Sequence, residues 1–218
     1  MTEKFGWKSV QAVSGLLFGI FVCLHLFNTW LAALGPDVYD GVQSTLRPLY
    51  QALVVEALVL AALAVHIVAG VTRIVTEPRR TLSRRARLHR YAGFFLLLVI
   101  GGHITAVRGA SWFFDVYPGF EGLAFSIAAV PGYFYPYYFL LAVAGFYHGI
   151  NGTGIALGRL GGSLRLSNGT LRALTACAAG LTLLALLGFG GVFFDVGDVY
   201  ASDFARLAME ITGVTFQP

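Results

Sequence analysis

Residues 51–75 read QALVVEALVLAALAVHIVAGVTRIV, an almost unbroken apolar run. It is entered past one carboxylate, Glu56, and carries one imidazole, His66, in its interior. About 20 consecutive apolar residues suffice to carry a helix across the hydrocarbon core of a bilayer. Four other runs share this character, so spans are expected at about 10–34, 51–75, 91–108, 135–158 and 171–194. The expected fold is all-α and integral to a membrane, with five transmembrane helices in one membrane domain over 1–218. An aromatic outer loop is expected at 109–134 and an outer C-terminal extension at 195–218.

Composition agrees. Of the 218 residues, 57% are hydrophobic and only 12% charged, where a soluble domain carries about 25% charged residues. The mean hydropathy is +0.73. Cys23 and Cys177 both fall in apolar runs, which reads as packing rather than a disulfide framework. The net charge of +4 is not a nucleic-acid signal, because its distribution follows topology. One set of span ends carries twelve of the fifteen basic residues, among them Lys4, Lys8, Arg73, Arg79, Arg80, Arg84, Arg85, Arg87, Arg90 and Arg159. The opposite ends hold nine of the eleven acids. The positive-inside rule then puts the N-terminus in the cytoplasm and the C-terminus outside. The first run is too long for the core of a cleavable signal. The longest polar stretch, 73–90, is too short to fold alone, so chemistry beyond the membrane calls for a partner chain.

Outside the spans, Trp112, Phe113, Phe114, Tyr117, Phe120 and Phe125 alternate with glycine and proline, which suits an aromatic lid lying in the membrane interface. Phe204, Leu207, Ala208 and Ile211 have helical spacing, as in a short amphipathic helix on the outer surface. Asn151-Gly152-Thr153 fits a glycosylation pattern, but it is discounted because it lies in the cytoplasmic half of a span.

Four of the five histidines, His25, His66, His103 and His148, lie one per span in the first four spans. An imidazole inside a bilayer is costly and needs a partner. From a rise of about 1.5 Å per residue, His25 and His103 lie roughly 20–22 Å from their cytoplasmic ends, and His66 and His148 roughly 13–15 Å. In an up-down bundle the first and third spans are diagonal, as are the second and fourth. Each diagonal pair can clamp one haem iron, giving two haem b groups at different depths. His25 and His103 would hold the outer iron, and His66 and His148 the inner.

Glycines keep step with the histidines. Gly15 and Gly93 precede His25 and His103 by ten residues, and Gly70 and Gly152 follow His66 and His148 by four. The halves align as a duplicated pair of spans, with Gln11 opposite His89. Glycine clears a path for a flat macrocycle near the backbone. A haem also brings two carboxylates that need donors. Gln11, His89, Arg73, Arg90 and Arg159 crowd the cytoplasmic end, Gln11 and Arg159 being the best placed because each belongs to a histidine-bearing span.

The runs Ser14-Gly15-Leu16-Leu17-Phe18-Gly19-Ile20-Phe21…His25, Arg90-Tyr91-Ala92-Gly93…His103 and Phe146-Tyr147-His148-Gly149-Ile150-Asn151-Gly152 resemble the cytochrome b membrane anchor of succinate:quinone oxidoreductases and fumarate reductases. The likeness is to the single-chain, five-helix, di-haem type, over about residues 8–194. It implies a non-flavin subunit of a succinate dehydrogenase in the plasma (inner) membrane of a prokaryote. The respiratory chain and the tricarboxylic acid cycle would meet there. It further implies an iron–sulfur subunit docked on the cytoplasmic face, a flavoprotein subunit beyond it, and menaquinone or another quinone as substrate. The basic loop 73–90 and the loop 159–172 would form the docking face. The long aromatic outer loop and the C-terminal extension depart from many members.

Quinone chemistry moves protons with electrons, so a titratable group near the outer haem is expected. Glu56, ten residues before His66, is the candidate catalytic residue, against the alternative that it snorkels to the interface. Trp112, Tyr117 and Arg108 are weaker candidates. Two other functions remain open at this point. One is a di-haem b-type quinone-reactive subunit of a hydrogenase or formate dehydrogenase, whose partners often lie outside the cytoplasm. The other is a histidine-based membrane transporter, which would want more carboxylates near its histidines than Glu56 alone.

Overall fold

A computed structural model describes residues 6–78 and 81–216; Lys4, Arg79 and Arg80 of the basic ends lie outside the described residues. These form helices joined by short irregular segments, with no strand among them. The elements are α1 (Trp7–Trp30), α2 (Pro36–Tyr50), α3 (Leu53–Thr76), α4 (Arg84–Ile104), α5 (Ala110–Phe114), α6 (Phe120–Ala129), α7 (Pro131–Arg159), α8 (Asn168–Phe189) and α9 (Asp203–Thr212). A 3₁₀ turn, Leu31–Leu34, prolongs α1, and a turn of π-helix, Thr105–Gly109, joins α4 to α5.

Among the described residues, five helices are long and apolar enough to cross a membrane: Trp7–Leu34, Leu53–Thr76, Arg84–Phe114, Pro131–Arg159 and Asn168–Phe189. Helices suit this setting because each satisfies its own backbone polar groups. Their outward side chains include Leu53, Val75 and Leu98, all more than three-quarters exposed. Cys23 and Cys177 are exposed free thiols, not the buried packing residues their surroundings suggested, because they fall on outward helix faces.

Contacts divide the chain into two compact units. The first comprises Met1–Leu26, Leu46–Leu97 and Ala144–Ala176, and the second Phe27–Thr45, Leu98–Val143 and Cys177–Pro218. Only α3, among the five long helices, belongs to one unit alone.

The second unit adds one helix and corrects two expectations. Residues 36–50 form α2 (Pro36–Tyr50), with Pro36 at its first position, Asp37 in its first turn and Arg47 in its last, all favourable for a helix. The segment 109–134 is not a loop but the end of the third long helix followed by α6. Trp112, Phe113, Phe114 and Tyr117 are exposed, whereas Phe120 and Phe125 are buried. Phe120, Ala124 and Ile127 recur at helical spacing and are 1–2% exposed, so the α6 half of this aromatic stretch is core, while its first four rings stay on the surface. Phe120 lies 4.7 Å from Phe189, ring to ring, and Tyr39 meets both rings edge-on at 5.9 and 5.3 Å. The expected amphipathic helix exists as α9, but its Ala205 and Leu207 are buried in protein, where α9 packs on α6.

Two polar details hold this unit together. Ser202 caps α9 by accepting from the backbone N–H of Ala205 at 3.2 Å. Asp40, on α2, accepts from the backbone N–H of Phe120 at 3.0 Å, satisfying a free donor at the start of α6 from a distant part of the chain. Glycine is required at 188, where a methyl group would stand 2.4 Å from the Ala32 carbonyl oxygen. Asp40→Ala should lower stability by about 1 kcal/mol, the usual worth of such a cap. Asp40→Asn, which keeps an acceptor oxygen, should lower it less. Thermal unfolding of the detergent-solubilised protein reads the difference, and equal losses in both variants would contradict the cap.

Candidate functional site

The first unit contains the chain's most specific polar geometry. His66 of α3 and His148 of α7 face each other with ring centroids 6.1 Å apart and planes at 89°. Each donates its Nδ1–H to a backbone carbonyl on a neighbouring helix: His66 to Gln11 at 3.0 Å and His148 to His89 at 3.1 Å. A carbonyl oxygen can only accept, so Nδ1 carries the proton in both rings. Nε2 is left with its lone pair, the form in which imidazole ligates metal.

A helix carbonyl is normally screened by the side chain four residues on, because Cβ leans toward the N-terminus. Gly15 follows Gln11 by four residues, and Gly93 follows His89 by four. A methyl group on Gly15 would stand 2.7 Å from His66 Nδ1, and one on Gly93 would stand 2.9 Å from His148 Cε1. The bare glycine therefore uncovers the carbonyl and admits the ring that uses it. The fit is reciprocal. A methyl group on Gly70 would stand 2.9 Å from Gln11 Nε2, and one on Gly152 would stand 3.4 Å from His89 Cε1. Each pair, α1 with α3 and α4 with α7, is thus closed by the same clasp. The side chains that fill the glycine clearances are the protein's own.

The two clasps differ in what lies beyond them. Arg73 donates from Nη1 to Gln11 Oε1 and from Nε to Glu77 Oε1 at 3.1 Å, and Lys8 pairs with Glu77 at 3.5 Å. The repeat's counterpart of Arg73, seven residues after the histidine, is Ile155. In the second clasp the His89 ring lies parallel to His148, 4.1 Å away and 6° from coplanar. His89 Nδ1 is buried with no hydrogen-bond partner among the described residues. Arg85, which the sequence reading treated only as topology, donates from Nε to Asn151 at 2.6 Å and from Nη1 to the Leu166 carbonyl at 2.7 Å. Asn151 is 2% exposed and so engaged, in keeping with setting aside its glycosylation pattern. Arg159 ends α7 as an exposed residue. The signal that could have found Arg85 is its spacing from His89, four residues on one helix face.

The other candidates have separate surroundings. His25 stacks on Phe21 at 5.6 Å and 16°, and Phe21 meets Tyr50 edge-on at 5.4 Å. His103, in the second unit, is in the last turn of α4, directly before the π-turn. Single π-turns often mark functional sites in helices. Arg108, within that turn, lies 5.2 Å over the Trp112 ring. Glu56 sits in the first turn of α3, where the helix dipole favours a carboxylate.

Among the described residues no three His, Cys, Asp or Glu side chains are grouped to hold a metal ion. A bare zinc-like ion takes three or four protein ligands, whereas a haem iron needs only one or two. With metal–imidazole bonds of about 2 Å and ring nitrogens roughly 1 Å from the ring centre, two axial imidazoles stand roughly 6 Å apart, centre to centre. The His66–His148 centroid separation of 6.1 Å matches that spacing. No family model, no curated protein and no solved structure matches this chain.

Two predictions follow from the clasp and its charged end. Gly15→Ala should displace the His66 ring and lower thermal stability. Gly19→Ala, on the same helix with open space around it, should be neutral or stabilising by up to about 1 kcal/mol from helix propensity. The opposite order would refute the clasp. Arg73, hydrogen-bonded to Glu77, holds that carboxyl below its ordinary range. Its stabilisation is complete above the ordinary glutamate value of about 4.3 and disappears as the pH falls through the lowered one. Glu77→Gln should therefore flatten the acid side of the stability–pH curve, measured as the difference from wild type.

Proposed function

We propose that this chain is the di-haem cytochrome b anchor of a succinate dehydrogenase or fumarate reductase, carrying electrons between a cytoplasmic iron–sulfur subunit and a membrane quinone. The observation that carries the reading is the His66–His148 pair: two imidazoles at axial spacing, each with Nδ1–H on a carbonyl and Nε2 available. A hydrogen bond behind a ligand imidazole fixes its tautomer and ring orientation and raises its basicity. The carbonyls of Gln11 and His89 are in that position. A haem bound there supplies a one-electron iron couple inside the membrane. The protein's part is to hold the two rings, exclude water, and offer donors at the basic end. Arg73 and Gln11 are such donors on the first clasp, and the Lys8–Glu77–Arg73 chain of charge leads away from it.

The second haem, on His25 and His103, rests on their matched depth in the sequence. So does the up-down arrangement with its N-terminus in the cytoplasm. Glu56, Arg108 and Trp112 remain candidates for the quinone end.

The purified protein or complex should show a reduced-minus-oxidised b-type spectrum corresponding to two haems per chain. His66→Ala and His148→Ala should each remove the same haem and leave the other. His25→Ala and His103→Ala should remove the remaining one. Absence of haem from the wild-type protein would end this reading. Subunits copurifying from the cytoplasmic side and carrying flavin would support the succinate dehydrogenase or fumarate reductase assignment. Partners from the opposite side of the membrane would favour the hydrogenase or formate dehydrogenase type.

A further inference from the structure

The two clasps are equivalent in backbone terms, but only one has its outer polar group satisfied. Gln11 Oε1 is taken by Arg73. The residue in the same place in the second clasp, His89, has a buried Nδ1 without a partner among the described residues. No arginine stands in the repeat position, which is Ile155. A buried ring nitrogen left unpaired is costly, so an acceptor or donor is missing there.

The placement of the ring narrows what that partner is. His89 lies face to face with His148 at 4.1 Å. It is therefore displaced sideways from the His148 nitrogens, beside the ligand and not on its axis. A flat group held between His66 and His148 would extend past His89. The rim of a haem carries carboxylates, which need hydrogen-bond donors when taken out of water.

We propose, resting on the haem reading above, that His89 is a haem-binding residue that does not ligate iron: its Nδ1–H donates to a carboxylate of the haem held by His66 and His148. Its backbone carbonyl already orients His148, so one residue serves both the axial ligand and the rim. The asymmetry between the clasps then has a purpose. One side of the group meets the glutamine–arginine pair, and the other meets a single imidazole.

The test uses the full chain, purified with whatever subunits accompany it, with haem content and the midpoint potential of each haem read by visible spectroscopy. His89→Phe keeps a ring against His148 but removes the donor. His89→Gln installs the residue that the first clasp uses. Loss of the donor leaves the carboxylate's charge less compensated, which favours oxidised iron. His89→Phe should therefore lower the potential of the haem that His66→Ala removes. A tenfold change in its reduction equilibrium is about 59 mV for one electron. The other haem should be unchanged, as an internal check on folding. His89→Gln should restore content and potential. An unaltered potential in His89→Phe would overturn the proposal and leave the haem reading standing, as would a defect in His89→Gln equal to that in His89→Phe. A wild-type protein without haem would overturn both.

Discussion

An imidazole among apolar helices has a donor to satisfy, and the helix beside it has already spent its carbonyls on its own ladder. The chain resolves this by stripping one side chain from the neighbouring helix. Glycine four residues after Gln11 and four residues after His89 bares the second lone pair of each carbonyl. An unsatisfied polar group in such surroundings costs several kcal/mol, and the arrangement removes that cost with no extra side chain. It also fixes the tautomer, so the nitrogen left over for chemistry is the same on both rings. The rest of the first unit follows from this contact: which helices pair, at what closeness, and in what register.

The same contact explains why glycines appear twice per clasp. Close approach of two helices is easiest where small residues meet, and here each helix offers one glycine and one side chain. Gln11 fills the space at Gly70 while His66 fills the space at Gly15; His89 and His148 do the same at Gly152 and Gly93. Such reciprocal packing needs no apolar driving force, which lipid does not supply. The second unit works differently. Its aromatic core of Tyr39, Phe120, Phe125 and Phe189 is assembled as in a water-soluble protein, with side-chain caps from Asp40 and Ser202 at its helix starts.

The basic residues also divide by exposure. Arg73 and Arg85 are each drawn into side-chain contacts with Gln11 and Asn151, on the two helix pairs that form the clasps. Arg90 and Arg159 remain exposed. Charge count alone treats these four alike.

The sequence by itself determined that the chain is helical, that five stretches are long enough to span a membrane, and that His66 and His148 share a level. These properties are read along the chain, since run length, hydropathy and rise per residue are one-dimensional. Only the tertiary structure decided which surface each glycine faces, that His66 and His148 use the Gln11 and His89 carbonyls, and that His89 stacks on His148 with one nitrogen unpaired. It also decided that Phe120 and Phe125 lie on a packed helix while Trp112 to Tyr117 stay on the surface, since nothing in the composition of the stretch distinguishes exposed rings from rings facing α8 and α9. Contacts of this kind depend on the rotation and separation of helices distant in sequence. A periodic pattern constrains those quantities but does not fix them, because several packings satisfy the same apolar stripe.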